Sequence, residues 1–247
     1  HRYVGTPVLN WLFYLFFKER ISDVNSGFRA ITKQAFDRLR LYSSGMEFAS
    51  EMLYKSCKAG LRIIEVPITY RQRVGKSKLS PFRDAWRHIK FMLLFSPSYL
   101  FVIPGAILGI LGLLGMLWLL PGNQFFLGSY FDIHSMTFFA FMLLAGFQLV
   151  FLGLFAKVFS VNFLQEEDKK TTQLMNIFTL EKGITLGVMV GLIGAIGVIW
   201  VIGEWWKNSF GPLAQERLLL FSLTFMFLGI EIIFSSFFFG ILGREER

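Results

Sequence analysis

One short segment of this sequence combines the residue types that hold a phosphate group. Residues 71–78 read Arg71-Gln72-Arg73-Val74-Gly75-Lys76-Ser77-Lys78. Cations and a hydroxyl can hydrogen-bond phosphate oxygens, and a glycine gives a loop the freedom to bend. The segment lies shortly before the first long apolar run of the chain. We therefore expect it at a membrane surface, where it would meet an anionic lipid head group or a phosphate-bearing substrate.

The composition indicates a membrane protein. Of the 247 residues, 54% are hydrophobic and 30 are Phe, which is more apolar than a soluble domain of this size needs to be. A helix needs about 20 apolar residues to cross a bilayer. Four runs are long enough, near residues 98–120, 135–160, 183–205 and 218–242.

The positive charge of the chain lies before these runs. Residues 1–96 hold 17 Lys and Arg against 7 Asp and Glu, whereas residues 97–247 hold 8 against 10. Because the basic part is joined directly to membrane spans, an anionic membrane surface or a phosphorylated lipid is favoured over nucleic acid as its partner. The single cysteine, Cys57, excludes an intrachain disulfide and a cysteine metal cluster.

The charges between the spans predict their orientation. Cations precede the first span, surround the second connection and follow the last span, whereas the connection at 121–134 has no Lys or Arg. By the positive-inside rule, both termini are cytoplasmic and the first and third connections face outward. We expect an integral protein of the plasma (inner) membrane.

The spans also contain an internal repeat. Gly109 to Gly115 in the first span matches Gly191 to Gly197 in the third at an offset of 82, and Gly146-Phe147-Gln148 matches Gly229-Ile230-Glu231 at an offset of 83. This predicts a duplicated helical hairpin whose glycines allow close helix contact. Chance similarity among glycine-rich apolar segments is the alternative.

Glu231 lies inside the fourth span, where an ionised group is costly and a functional role is the default expectation. The alternative is a neutral or hydrogen-bonded carboxyl group that packs against another helix, with Gln148 or Ser235 as partner. The sequence leaves both interpretations open.

The part of the chain before the spans has the pattern of a mixed α/β domain. The run at 8–17 is too short to span a bilayer and predicts a buried or interfacial helix. Helical spacing recurs at 32–40 and 46–59, and Gly60 is a predicted helix stop. Residues 61–70 favour a strand.

Residues 81–95 predict an amphipathic helix. Its apolar positions and its cations fall largely on different sides: Phe82, Trp86, Ile89 and Leu93 against Arg83, Arg87 and Lys90. We expect this helix to lie in the lipid interface. The alternative is an ordinary juxtamembrane helix that obeys the positive-inside rule.

Four blocks of residues resemble a known family. They are Asp23-Val24-Asn25-Ser26-Gly27-Phe28-Arg29-Ala30, Gly45-Met46-Glu47-Phe48 with Glu51-Met52, Glu65-Val66-Pro67-Ile68, and Arg73-Val74-Gly75-Lys76-Ser77-Lys78-Leu79. Their order and spacing resemble the C-terminal blocks of family 2 glycosyltransferases, in particular the polyprenyl-phosphate sugar transferases, the group that contains dolichyl-phosphate mannose synthase. The spans that follow are similar to the membrane anchors of multi-spanning members.

This resemblance implies a fold and an activity. Residues 1–80 would be the C-terminal part of a GT-A, Rossmann-like α/β domain, residues 81–96 an interfacial helix, and residues 97–247 a domain of four transmembrane helices. The activity would be transfer of a hexose from a nucleotide sugar, GDP- or UDP-linked, to a polyprenyl phosphate on the cytoplasmic face, in the synthesis of cell-envelope glycans. The identity of the sugar and the formation of a homo-oligomer are left open.

The resemblance also implies a divalent metal, Mg or Mn, bound through an Asp-x-Asp motif. No Asp-x-Asp occurs in this sequence, and the chain begins at His1 without a Met. We therefore expect a fragment in which the donor-binding half and the metal ligands precede His1. On this expectation the chain alone is inactive.

Residue roles follow from the resemblance. The acceptor loop, which would hold the lipid phosphate, contains Arg73, Gly75, Ser77 and Lys78. Arg29 would face a phosphate in the active cleft, or else form a structural ion pair with Asp23 or Asp37. Asp23 would support the metal or act as the base, although some relatives place an acidic residue where this chain has Gly27.

Two further functions remain as alternatives. The chain would be a four-helix membrane protein that binds or translocates an isoprenoid-linked sugar without catalysis, as the duplicated hairpin and Glu231 favour. Otherwise it would be a non-enzymatic anchor that recruits a soluble partner to the membrane.

Overall fold

The computed structural model describes residues 5–24, 26–41, 43, 45, 48–69, 81–163, 173, 179–212 and 215–242. The chain divides into two compact units, His1–Tyr99 and Leu100–Arg247. The described helices of the first unit are α1 (Gly5–Phe17), α2 (Lys33–Leu39), α3 (Phe48–Lys58) and α4 (Pro81–Leu94). A short π-helical turn (Ser98–Val102) leads into α5 (Ile103–Leu119), which is followed by β1 (Gln124–Phe126), β2 (Ser129–Phe131), α6 (Ile133–Phe163), α7 (Leu180–Lys207) and α8 (Glu216–Leu242).

The first unit has a small apolar core to which three helices contribute. Leu9 and Phe13 lie four residues apart on one face of α1, and both are buried. The buried members of the core are Leu9, Phe13, Val24, Leu53, Tyr54, Phe91 and Met92. The predicted helix at 8–17 is therefore confirmed, and it fixes the position of the residues that lie beside its buried face.

Helix α3 ends where the sequence predicts. Gly60 adopts a φ of 65°, a conformation that glycine accepts without strain. The amide of Leu61 donates to Ser56 O (3.0 Å) and the amide of Gly60 donates to Cys57 O (3.1 Å). These two bonds satisfy carbonyl groups that the end of the helix would otherwise leave open.

The predicted strand at 61–70 is not formed by the residues that the structure describes there. Residues 61–69 have no regular secondary structure, and the side chains of Ile64 and Val66 are 67% and 73% exposed. A strand needs a neighbour to accept and donate its main-chain hydrogen bonds, and the only strands described, β1 and β2, form a hairpin in the second unit. The α/β class of this unit therefore stays a prediction.

Helix α4 is confirmed, and it has two distinct sides. His88, Phe91 and Met92 are buried, while Trp86 and Lys90 are exposed. Ser50 of α3 and Nδ1 of His88 are hydrogen-bonded at 2.8 Å inside the unit. The periodicity of apolar residues did not predict His88 on the protein side, because a buried histidine needs a polar partner that sequence spacing does not reveal.

The second unit contains the four predicted membrane spans. Within the described residues, four helices are long and apolar enough to cross a membrane: Ser98–Leu119, Ile133–Val161, Leu180–Lys207 and Glu216–Leu242. Their lengths of 22 to 29 residues meet or exceed the need of a bilayer. The fold therefore supplies a membrane domain built on four long apolar helices.

The two hairpins of this domain repeat the same close contact. In each, a Cβ added to one glycine of the second helix would lie under 3.0 Å from the backbone of two glycines of the first: Gly146 against Gly105 and Gly109, and Gly229 against Gly187 and Gly191. One turn further along, Gly112 meets the backbone of Leu143 as Gly194 meets that of Met226. All these pairs are related by offsets of 82 and 83. The predicted duplication is thus confirmed in three dimensions.

The hairpins pack against each other through α6 and α8. The ring of Phe155 lies 4.6 Å from Phe238 and 4.8 Å from Phe239, centroid to centroid. Phe151 lies 5.7 Å from Phe239. Edge-to-face and tilted aromatic pairs of this kind add dispersion contact between helices.

Candidate functional site

The turn that carries Asp23 is held by the side chain of Asn10. The Nδ2 group of Asn10 donates to Ser22 O, and its Oδ1 atom accepts from the amide of Val24 at 3.1 Å. Ser22 O belongs to the peptide group before Asp23, and the amide of Val24 belongs to the peptide group after it. A single side-chain amide therefore fixes both peptide planes on either side of Asp23.

Glu65 holds the same turn from another direction. Its Oε1 atom accepts from the amide of Ser22 at 2.8 Å, and its Oε2 atom accepts from the Ser22 hydroxyl at 2.7 Å. Hydrogen bonds to a carboxylate are stronger than those between neutral groups. Glu65 lies 43 residues from Ser22 in the sequence, so these bonds join distant parts of the unit.

Arg29 joins the end of this turn to helix α3. Its Nη2 group donates to Val24 O at 2.8 Å, and its Nη1 group donates to Ala49 O at the start of α3. Burial lowers the pKa of the Arg29 guanidinium, and the charge of Asp23 opposes that shift. These two bonds hold Arg29 against the main chain at Val24 and Ala49, and its ion pair with Asp23 stays a prediction.

Asp23 itself is presented outward. Its side chain is exposed, whereas Val24, the next residue, is completely buried in the core of the unit. Because the peptide groups on both sides of Asp23 are anchored and the residue is exposed, the turn can present its carboxylate at the surface of the unit. Such a group can orient a substrate or accept a proton.

The acceptor loop lies outside the described residues. Arg73, Gly75, Ser77 and Lys78 belong to the segment 70–80, which is outside the residues that the structure describes. Their assignment to a lipid phosphate therefore stays a prediction.

Asn10, Ser22 and Glu65 are the residues of this site that sequence reasoning missed. Asn10 is the single polar residue in the apolar run at 8–17, and a polar group in such a run needs a partner. Glu65 belongs to one of the four blocks that resemble the family. Both signals were present in the sequence, but nothing in it pairs either residue with Ser22.

The described residues do not fit a divalent metal on their own. No group of three or more His, Cys, Asp or Glu side chains comes together in the part of the chain that the structure describes. Asp23 would supply a single carboxylate, which is fewer ligands than Mg or Mn requires.

A second polar feature lies within the membrane domain. The Oε2 atom of Glu231 is buried without a hydrogen-bond partner among the described residues. Gln148, which occupies the equivalent position in the first hairpin and was a predicted partner, is exposed. The equivalent positions of the two hairpins therefore differ, with a buried carboxyl oxygen at Glu231 and an exposed side chain at Gln148.

These features define a class: an integral membrane protein with two duplicated helical hairpins, preceded by a unit that presents a carboxylate on an anchored turn. Residues 154–243 match the family model described as the glycosyltransferase family 2 C-terminal transmembrane region. The match confirms the predicted similarity of the spans to the membrane anchors of family 2 glycosyltransferases.

Similar proteins extend the resemblance across the chain. The low-salt glycan biosynthesis hexosyltransferase Agl6 of Haloferax volcanii is 35% identical over 244 residues, which cover 99% of this chain and 59% of that protein. The undecaprenyl-phosphate mannosyltransferase of Micrococcus luteus is 38% identical over 64 residues, or 24% of this chain and 26% of that protein. The dolichyl-phosphate hexose transferase of Haloferax volcanii is 32% identical over 62 residues, or 25% and 27%.

The chain therefore spans 59% of the length of the hexosyltransferase and 26% and 27% of the other two relatives. No solved structure matches the chain.

Proposed function

We propose that the protein containing this chain is a membrane-bound glycosyltransferase that moves a hexose from a nucleotide sugar to a polyprenyl phosphate on the cytoplasmic face. The observation that carries this proposal is the similarity to a hexosyltransferase over 99% of the chain. Two further relatives are named for transfer to undecaprenyl phosphate and for hexose transfer to dolichyl phosphate. The family match at residues 154–243 supports the membrane-bound part of this proposal.

The reaction we propose is a single displacement. An oxygen of the acceptor phosphate bonds to the anomeric carbon of the hexose, while the bond from that carbon to the nucleoside diphosphate breaks and the diphosphate leaves with the electron pair. The acceptor oxygen is already anionic near neutral pH, so the reaction makes little demand for a strong base. Asp23 would orient the acceptor or take its remaining proton.

The cations divide into two roles in this proposal. Arg73 and Lys78, with the Ser77 hydroxyl, would hold the lipid phosphate through charge-assisted hydrogen bonds and balance its charge during transfer. Arg29 donates to two main-chain carbonyls, and its positive charge lies near Asp23. Gly75 would let the acceptor loop bend around the phosphate.

The proposal also includes the membrane location of the chain and the remaining parts of the whole protein. We place both termini in the cytoplasm and the four helices in the plasma membrane, on the charge pattern of the connections. The nucleotide sugar, the GT-A domain and an Mg or Mn ion belong to the proposal for the whole protein. The described residues do not form a site for that metal ion.

The test is transfer by the full-length protein as its gene encodes it. The protein, purified in detergent, is incubated with UDP- and GDP-hexoses and a polyprenyl phosphate, and the lipid fraction is examined by mass spectrometry. We expect a polyprenyl-phosphate hexose from at least one donor, and loss of product after Arg73→Ala or Lys78→Ala with unchanged protein yield. Absence of product from every donor would overturn the proposal.

A second candidate function is supported by Glu231 and the duplicated hairpins. One carboxyl oxygen of Glu231 is buried with no hydrogen-bond partner among the described residues. Ionisable residues inside membrane spans often mark transport pathways, and repeated hairpins are common in transporters. This candidate predicts that proteoliposomes move an isoprenoid-linked sugar between leaflets and that Glu231→Gln stops this movement. Unchanged transfer activity together with that defect would favour translocation over catalysis.

A further inference from the structure

We propose that Asn10 and Glu65 are positioning residues that hold Asp23 in the geometry used for transfer. This inference rests on the proposed function and assigns to it two side chains that act through the main chain rather than on substrate. The site concerned is the turn from Ser22 to Val24.

The backbone around Asp23 has little conformational freedom. Its orientation depends on the two peptide groups that flank it, and Asn10 binds both, through Ser22 O and the amide of Val24. The carbonyl of Asp23 also accepts from the amide of Ser26 at 3.4 Å. With both peptide planes held, the φ and ψ angles of Asp23 are set, and only its side-chain torsions remain to be chosen.

Asn10 is itself held in place by the packing of α1. It follows Leu9, which is 4% exposed, and lies one turn before Phe13, which is fully buried. Both residues belong to the core of the unit. A functional group is positioned best when its supports are locked by packing on a regular element. Because α1 is packed in the core, Asn10 has a fixed position, and its two hydrogen bonds restrict the turn.

Glu65, unlike Asn10, does not lie on a packed helix. The apolar side chains next to it are largely exposed, and residues 61–69 have no regular structure. Its carboxylate nevertheless binds Ser22 twice, through the amide and the hydroxyl. Those two bonds, rather than packing, connect this segment to the turn, so removing the carboxylate should release Ser22 directly.

A small displacement of Asp23 is expected to affect chemistry more than binding. An exposed carboxylate on an anchored turn contributes through its position, and a shift of about 1 Å in a catalytic group can lower a rate by about a hundredfold. Substrate affinity, which we assign mainly to other residues, should change little. The positioning role therefore predicts a fall in kcat with KM nearly constant.

The experiment uses the full-length protein with the donor found to be active and a polyprenyl phosphate. Glu65→Ala and Asn10→Ala are each expected to lower kcat about tenfold or more, with KM for donor and acceptor within about twofold of the parent. Glu19→Ala and Gln34→Ala are the matched controls, since both residues are exposed in the same unit. The controls should leave kcat unchanged.

Conservative variants keep the test readable where an alanine variant does not accumulate. Glu65→Gln keeps one acceptor oxygen for Ser22 and is expected to retain more activity than Glu65→Ala. Asn10→Asp keeps the acceptor for Val24 but sets an oxygen against Ser22 O, so its kcat is expected to fall at least as far as that of Asn10→Ala. A double variant tests whether Glu65 acts through Asp23. In an Asp23→Asn background, Glu65→Ala should lower kcat little further, because the residue that Glu65 positions has already been changed.

The outcomes separate this inference from the proposed function. Transfer by the parent protein, impaired by Asp23→Asn but not by Glu65→Ala or Asn10→Ala, overturns the positioning role and leaves the glycosyltransferase intact. Losses that multiply in the double variant also overturn it, since they show that Glu65 acts elsewhere. An Asp23→Asn variant that is as active as the parent protein also overturns the positioning role. Absence of transfer by the parent protein overturns both proposals.

Discussion

The two units of this chain bring distant segments together by different means. In Leu100–Arg247, helices approach where glycines leave room for the opposing backbone, as at Gly146 and Gly229. In His1–Tyr99, the turn at Asp23 is held by side chains that bind main-chain groups. Inside a bilayer, helix association depends on close packing, whereas an exposed turn in water needs specific hydrogen bonds to stay in one conformation.

The two units should therefore be destabilised by different kinds of substitution. The membrane domain should tolerate apolar substitutions at its lipid-facing surface and lose stability when a small residue at a helix contact becomes larger. The first unit should tolerate added methyl groups at its surface and fail when a single donor or acceptor is removed. Each of the following predictions tests one side of that contrast.

The largest effect is expected from adding one methyl group to a contact glycine. Gly146→Ala would place its Cβ 2.6 Å from Gly105 O and 2.7 Å from the Cα of Gly109. Because both neighbours are backbone atoms, the helices must separate, at a cost on the order of 3 kcal/mol. Gly229→Ala should cause a similar loss. Thermal unfolding in detergent measures both.

Gly203→Ala is the control for these variants. It lies in α7 with no atom within 4 Å of an added Cβ, so we expect unchanged or slightly higher stability because alanine favours a helix by about 1 kcal/mol. Equal destabilisation by Gly203→Ala and Gly146→Ala would refute the close-contact explanation.

The second prediction concerns the first unit and its single thiol. Burial, with a smaller contribution from Glu19, raises the pKa of Cys57 from 9.0 to about 11. Since the thiolate is the reactive form, the native protein at pH 8 should react with iodoacetamide about a hundredfold more slowly than the urea-unfolded protein.

The same shift has a consequence for stability. The folded state binds the proton more tightly than the unfolded state, so this contribution is complete below about pH 9 and is lost as the pH rises toward 11. A labelling rate that is equal in native and unfolded protein would show that Cys57 is not shielded.

A smaller effect is expected from the hydrogen bond between α3 and α4. Ser50→Ala removes the hydroxyl that lies 2.8 Å from Nδ1 of His88, in a pair that is buried. We expect a loss of about 1 to 3 kcal/mol in the free energy of unfolding of this unit. Urea titration followed by tryptophan fluorescence measures the change. Stability within about 0.3 kcal/mol of the parent would mean that packing alone joins these helices.

The sequence alone predicted the membrane domain well because its signals are local. Each span is one continuous apolar run, and the glycines repeat at fixed offsets. The helix end at Gly60 is likewise set by one residue's backbone freedom. Such features depend on residues close in sequence, so a pattern suffices to find them.

The anchored turn was not predicted because its contacts are not local. Asn10 and Ser22 are 12 residues apart, and Ser22 and Glu65 are 43 apart. No periodicity connects them. The strand predicted at 61–70 failed for a related reason, since β-propensity cannot supply the neighbour that a strand needs. Asp23 and Arg29 were chosen by resemblance, and their catalytic roles stay predictions.

The repeated glycine contacts also bear on how the membrane domain is made. Each close approach joins the two helices of one hairpin, α5 with α6 and α7 with α8. During synthesis, the first pair can therefore close while the second is still being translated. Assembly then reduces to docking two finished halves along α6 and α8, where the aromatic rings meet.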